Sequence, residues 1–211
     1  MENNYSSAED IKTIRKMMEE STKFLSLSGF SGVFLGLFAI AGAMVAWFII
    51  PEGGNISSEE YLNSLPVNEA TAIKLQMGLN ALVVLLLSVA AALFFSFRNA
   101  TRSGRSIWTP VSKRLFINLS IPLAAGGIFA LILAFQNHFQ LIIPVFLVFY
   151  GLALINAGKF TYDEIFYLGI FEIITGLAAA VFPDQGLLFW IFGFGILHIV
   201  YGVMMYRKYQ L

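Results

Sequence analysis

The sequence predicts an all-α polytopic membrane protein: six transmembrane helices with both termini cytoplasmic, preceded by a short amphipathic N-terminal helix. Three observations predict it. The 211-residue chain is 58% hydrophobic and only 12% charged, whereas soluble domains carry charge on about a quarter of their residues. Six apolar stretches divide it, each near the ~20 residues that take a helix across ~30 Å of hydrocarbon. Twelve of the thirteen lysines and arginines fall in segments that alternate crossings leave on one side.

Residues 1–23 read as a cytoplasmic amphipathic helix. Ser6 or Ser7 can cap it, with Glu9 and Asp10 in the first turn. Ile11, Ile14, Met18 and Leu25 recur at helical spacing, and Glu19 and Lys23 form a favourable i,i+4 pair. Such a segment lies on headgroups as a juxtamembrane extension, or serves as a docking helix for a cytoplasmic partner or for self-association. A cleaved signal peptide is not expected. The apolar run from Phe24 to Ile50 far exceeds a signal core of about 7–15 residues, and a charged segment precedes it.

The transmembrane domain, residues 24–206, holds spans at 24–50, 72–97, 115–136, 141–158, 165–182 and 187–206. Lipid offers no partner for an unpaired backbone group, so these stretches must be helices. The first two are long enough to tilt or project, and the fourth and fifth are short enough to stand upright. Turn-forming residues punctuate them at Pro51–Asn55, Gln136–Gln140 and Pro183–Gly186. Pro122 and Pro144 fall inside spans three and four, where mild kinks are expected. A short basic tail, 207–211, follows.

Orientation follows from the cations. Lys12, Arg15, Lys16, Lys23, Arg98, Arg102, Arg105, Lys113, Arg114, Lys159, Arg207 and Lys208 share one face, against Lys74 alone on the other. Retention of basic loops in the cytoplasm puts that face inside. Anionic lipid is a further partner expected at Arg98, Arg102 and Arg105. Zero net charge and the lack of cysteine predict no nucleic-acid role and exclude disulfides and thiol chemistry.

Four spans carry glycines seven residues apart, which places both on one helix face. They are Gly29 and Gly36 (with Gly32 between), Gly151 and Gly158, Gly169 and Gly176, and Gly195 and Gly202. The octapeptides 169–176 and 195–202 are identical at four of eight positions. Small residues at this spacing let helix backbones approach closely, a main source of association in lipid.

Gly169, Gly176, Pro183, Gly195 and Gly202 make a glycine-spaced helix, a short proline turn and a second glycine-spaced helix. This hairpin resembles those of the small HdeD-like acid-resistance membrane proteins over about forty residues, and the first span more loosely. The whole chain resembles uncharacterised six-span bacterial inner-membrane proteins, which implies that localisation. The charged N-terminal segment, the acidic loop 51–69 and the arginine-rich loop lie outside the resemblance, which brings no catalytic residue with it.

Glu172 and His198 are the only ionisable side chains well inside a span, tyrosines apart. Span five runs away from the basic face and span six returns, so the two reach about the same depth. Each has glycines three before and four after it, and Thr175 and Tyr201 follow at equivalent positions. A charge at mid-membrane costs roughly 2.5–3.5 kcal/mol on insertion scales, so both should face the bundle and meet across the hairpin. Asn156 lies off the Gly151–Gly158 face, turned toward another helix. Trp47, Trp108, Trp190, Tyr61 and Tyr162 suit loop or interfacial positions.

His138 lies in the turn far from His198 without further ligands, so no metal site is expected. Nucleotide, dinucleotide and nucleophile-elbow fingerprints are absent, and no cofactor is expected. The sequence therefore predicts a non-enzymatic integral membrane protein, structural, stress-related or regulatory, acting through membrane or cytoplasmic partners. The alternative is a small channel or carrier with Glu172 and His198 as a proton- or ligand-sensing pair.

Overall fold

A computed structural model describes residues 11, 23, 24, 27–50, 62, 64–104 and 106–209. The 1–23 helix, most of the acidic loop and Arg105 lie outside the described residues. Among the described residues, six helical segments are long and apolar enough to cross a membrane: Gly29–Ile49, Val67–Arg102, Pro110–Phe135, Phe139–Gly158, Asp163–Val181 and Pro183–Tyr209. They comprise α1 (Gly29–Ile49), α2 (Val67–Arg102), α3 (Pro110–Phe135), α4 (Ile142–Gly158), α5 (Asp163–Val181), α6 (Gly186–Trp190) and α7 (His198–Tyr209). Between α6 and α7 the sixth span passes through a π-helical turn, Ile191–Leu197.

Helix ends depart from the apolar boundaries for local reasons. The first helix starts at Gly29 rather than near Phe24, because Phe24 is held by another part of the chain. Its N–H donates to the Phe160 carbonyl at 2.6 Å, and the Thr161 hydroxyl donates to the Phe24 carbonyl at 2.7 Å. By contrast, α2 runs 36 residues, about 54 Å at 1.5 Å rise and well beyond the hydrocarbon thickness. Hydropathy marks where lipid lies and says little about where a helix stops. Pro66 precedes this one, and Gly104 closes it in the left-handed region at φ +63°.

The third helix begins with Pro110 at its first position. Thr109 and Ser112 cap reciprocally, each side chain accepting from the other's backbone N–H. Pro122 lies inside α3, as expected. Pro144 does not sit mid-helix: it is the third residue of α4, in the first turn, where a missing N–H is no loss.

Four elements make the centre. The pair α4 and α5 has the most extensive contact, α1 packs along the sixth span, and the sixth span meets α5. Outside them, α2 lies on α1 and α3 lies on α4. Most of α2 stays uncovered, with Leu79, Leu82, Val83, Leu86, Leu93 and Phe94 all exposed. An apolar surface of this extent suits lipid rather than water.

One end of the bundle gathers Lys23, Asp163, Glu164 and Lys208. Lys23 Nζ lies 3.0 Å from Asp163, and Lys208 Nζ lies 2.5 Å from Glu164. At that same end the Asn99 side chain donates to the Leu27 carbonyl. The opposite end holds Lys74, which donates to Asn137 at 2.9 Å and sits over the Phe139 ring. Phe24 and Tyr209 thus lie at one end, the basic end.

Candidate functional site

The buried stripe of α5 is Ile165, Leu168, Gly169, Glu172, Thr175, Gly176 and Ala179, a helical 3–4 spacing. Its glycines set the depth of packing. A Cβ on Gly169 would lie 2.6 Å from the Gly151 carbonyl oxygen, and one on Gly151 equally close to that of Gly169. One on Gly176 would meet Leu147 and Val148 at 2.9 Å or less. So α5 is drawn against α4 along the face that carries Glu172, which is 0% exposed.

His198, 3% exposed, follows directly on the π turn. Its Nδ1 lies 3.3 Å from Glu172 Oε1 and 3.2 Å from the Gly193 carbonyl oxygen. On the other side of the ring, Nε2 lies 2.8 Å from Tyr150 Oη on α4. Glu172, His198 and Tyr150 thus form one trio contributed by α5, the sixth span and α4. A carbonyl only accepts, so Nδ1 carries the hydrogen and donates to Gly193. Nε2 then accepts from the Tyr150 hydroxyl. This tautomer, inferred from the contacts, leaves both ring nitrogens partnered.

Glu172 is the exception. Neither carboxyl oxygen makes a hydrogen bond. Buried polar atoms are almost always satisfied, and the polar contact that this carboxyl has is the 3.3 Å approach of His198 Nδ1 to Oε1. Gly193 makes room for it. A Cβ there would come 2.5 Å from Leu147 Cδ2 and 2.7 Å from Glu172 Oε2. The π turn brings residues five apart into register, which seats the His198 ring against the Gly193 carbonyl. Trp190, Phe194, His198 and Tyr150 continue as a chain of ring contacts toward the opposite end.

The other candidate residues fall elsewhere. Thr175 bonds back to the Phe171 carbonyl within α5. Tyr201 packs among Leu115, Leu154 and Ile165. Asn156 is half-buried on α4, outside the trio. The hairpin's glycines do not face each other across spans five and six. Gly169 and Gly176 serve the contact with α4, whereas Gly195 and Gly202 serve the contact with α1. There Gly29 meets Gly202, Gly36 meets Gly195, and Gly32 lies against Gly202 and the His198 carbonyl. Gly158 packs on Phe166 at the start of α5. Arg98 and Arg102 are exposed at the basic end.

Sequence reasoning missed Tyr150, Gly193 and the π turn. The extra glycine pair Gly193 and Gly195 was the available signal for an irregular turn, because glycine both weakens regular helix and admits close neighbours. No protein-family model matches the chain, nor does any curated protein or solved structure compared with it. The chemistry of the trio therefore rests on its own geometry: three groups placed to pass protons among themselves.

Proposed function

We propose that the chain is a multi-pass, non-enzymatic protein of the bacterial inner membrane, structural or regulatory in role. The observation that carries this reading is the closed centre. Glycine-to-glycine packing joins α4 to α5 and α1 to the sixth span, and it leaves Glu172 and His198 out of contact with water. A transport path would need an aqueous approach to them.

In this reading the basic end is cytoplasmic, because positive residues are retained there. Both termini are then inside, and the 1–23 helix is available to a cytoplasmic partner or to a second copy. Arg98, Arg102 and Arg105 meet anionic headgroups.

The lack of native cysteine makes the test direct. Ser57→Cys should react with an impermeant thiol reagent added outside intact cells, and Ser103→Cys only after permeabilisation. Ala179→Cys, at a fully buried site on α5, should stay unreactive throughout. Labelling of Ser103→Cys from outside would reverse the orientation, and rapid labelling of Ala179→Cys would remove the closed centre.

A second reading is favoured by one observation, a buried Glu172 carboxyl that makes no hydrogen bond and lies 3.3 Å from His198 Nδ1. A residue kept only to tie helices together would be expected to have donors. On this reading the trio senses or carries protons. Proteoliposomes holding the protein would then show a proton flux that Glu172→Gln abolishes, whereas the first reading expects none.

A further inference from the structure

We propose that Tyr150, His198 and Glu172 form a relay that loads one proton onto Glu172, and that loading releases the Gly193 carbonyl within the π turn. This deepens the proton-sensing reading and requires no transport.

The relay follows from hydrogen-bond roles. In the tautomer inferred from the contacts, Nδ1–H of His198 donates to the Gly193 carbonyl oxygen at 3.2 Å, and Glu172 Oε1 lies 3.3 Å from the same nitrogen. Nε2 accepts from Tyr150. Tyr150 stands at the outer end of the hydrogen-bond chain, so the relay begins with a proton delivered to its oxygen. The phenol then gives its own hydrogen to Nε2, and Nδ1 gives its hydrogen to Glu172 Oε1. One proton has been taken up. The carboxyl is now an acid that donates to a bare Nδ1, and Nε2–H donates to the Tyr150 oxygen.

Loading therefore exchanges the imidazole tautomer. Nδ1 becomes an acceptor, and two acceptors cannot remain 3.2 Å apart without repulsion. The ring and the Gly193 carbonyl must separate. Gly193 belongs to the stretch of the sixth span already out of regular pitch, where turns of this kind often mark functional sites. Freed of its side-chain donor, that carbonyl can take an i+4 backbone N–H, which shortens the π turn.

Few other groups bear on this chemistry. Glu172 is faced from α4 by Tyr150 and from the sixth span by His198, with Tyr201 further along the same span. Its own helix adds Thr175, whose hydroxyl is committed to Phe171. No residue of α1 is titratable. Among the described residues, the cations Lys23 and Lys208 are engaged with Asp163 and Glu164 at the basic end.

The test uses the full chain in lipid nanodiscs with ¹⁵N-labelled histidine. Nitrogen chemical shifts distinguish the two neutral tautomers directly. His198 should carry its hydrogen on Nδ1 at alkaline pH and on Nε2 at acidic pH. Acidification should also bring a protonated-carboxyl stretching band in the infrared that shifts in deuterium oxide. Glu172→Gln should abolish both changes. Tyr150→Phe should keep the endpoints but slow loading after a pH jump tenfold or more. Amide exchange over Ile191–Leu197, corrected for its intrinsic pH dependence, should differ between the loaded and unloaded wild type. A wild-type His198 tautomer that stays fixed across the titration would overturn the relay, and this result needs no variant to fold. An error in membrane orientation would appear in the cysteine labelling and leave the tautomer exchange untouched.

Discussion

Gly29 on α1 and Gly202 on α7 touch through their backbones. A Cβ on Gly29 would lie 2.5 Å from the Gly202 carbonyl oxygen, and one on Gly202 would lie 2.6 Å from that of Gly29. Gly36 and Gly195 repeat the contact two turns away, with a Cβ on Gly36 falling 2.5 Å from the Gly195 oxygen. Residue numbers in both pairs sum to the same value, as antiparallel helices in fixed register require.

Gly202→Ala should therefore force α1 and α7 apart. Overpacking of this kind costs about 1–3 kcal/mol, seen as loss of thermal stability in detergent. Gly78→Ala on α2 is the control, because a Cβ there meets nothing within 4 Å. Alanine's better helix propensity should leave that variant unchanged or stabilise it by up to ~1 kcal/mol. Equal losses in both variants would mean that the glycine contact does not hold the helices together.

Thr161 makes a second, separable prediction. It is fully buried in the turn between α4 and α5 and donates to the Phe24 carbonyl, while the Phe24 N–H bonds Phe160. Thr161→Val keeps the shape and removes the donor, leaving a buried carbonyl unsatisfied at about 1–3 kcal/mol. Amide exchange at Phe24 should rise, with α2 and α3 unaffected. The neighbouring Lys23–Asp163 pair is exposed, so Asp163→Asn should cost no more than ~1 kcal/mol and less at high salt.

The sixfold apolar pattern was legible because lipid imposes it: a span must be apolar for a fixed length, whatever its neighbours do. Helix ends were not, since they depend on caps and clasps such as Thr109 with Ser112 or Phe24 with Thr161. The depth of Glu172 and His198 could be counted along alternating spans. Their surroundings could not. Glycine spacing names the face that packs but not the helix it packs on, so Gly195 and Gly202 read equally well toward α5 or α1. Tyr150 was passed over because a tyrosine in a span looks like any other aromatic until a partner is placed beside its hydroxyl. The π turn left only the faint mark of two close glycines.

Polar contacts between helices away from the trio should be weak. Asn80 donates to the Gly42 carbonyl at 2.9 Å, and the Trp190 indole donates to the Ala39 carbonyl at 3.1 Å. Membrane hydrogen bonds of this kind average about 0.6 kcal/mol. Asn80→Ala should accordingly cost far less than Gly202→Ala when both are unfolded by steric trapping. A larger penalty for Asn80 would make the α1–α2 contact polar in origin, contrary to the apolar contacts of Gly42 with Val84 and Phe34 with Phe95 that also join the two helices.

The trio itself predicts an asymmetry between its members. His198 satisfies two partners, the Gly193 carbonyl and the Tyr150 hydroxyl, so His198→Leu should lose about 1–3 kcal/mol by stranding polar groups. Glu172 satisfies none of its own oxygens. A buried carboxyl without hydrogen bonds is costly to keep, and an apolar residue of similar volume removes that cost. Glu172→Met should therefore match or exceed the wild type in thermal stability while removing the tautomer exchange at His198. If Glu172→Met and His198→Leu instead destabilise alike, the carboxyl is a structural tie between α5 and the sixth span. A stabilised Glu172→Met variant would show a group held in the core at the expense of stability, as expected where a proton must be bound.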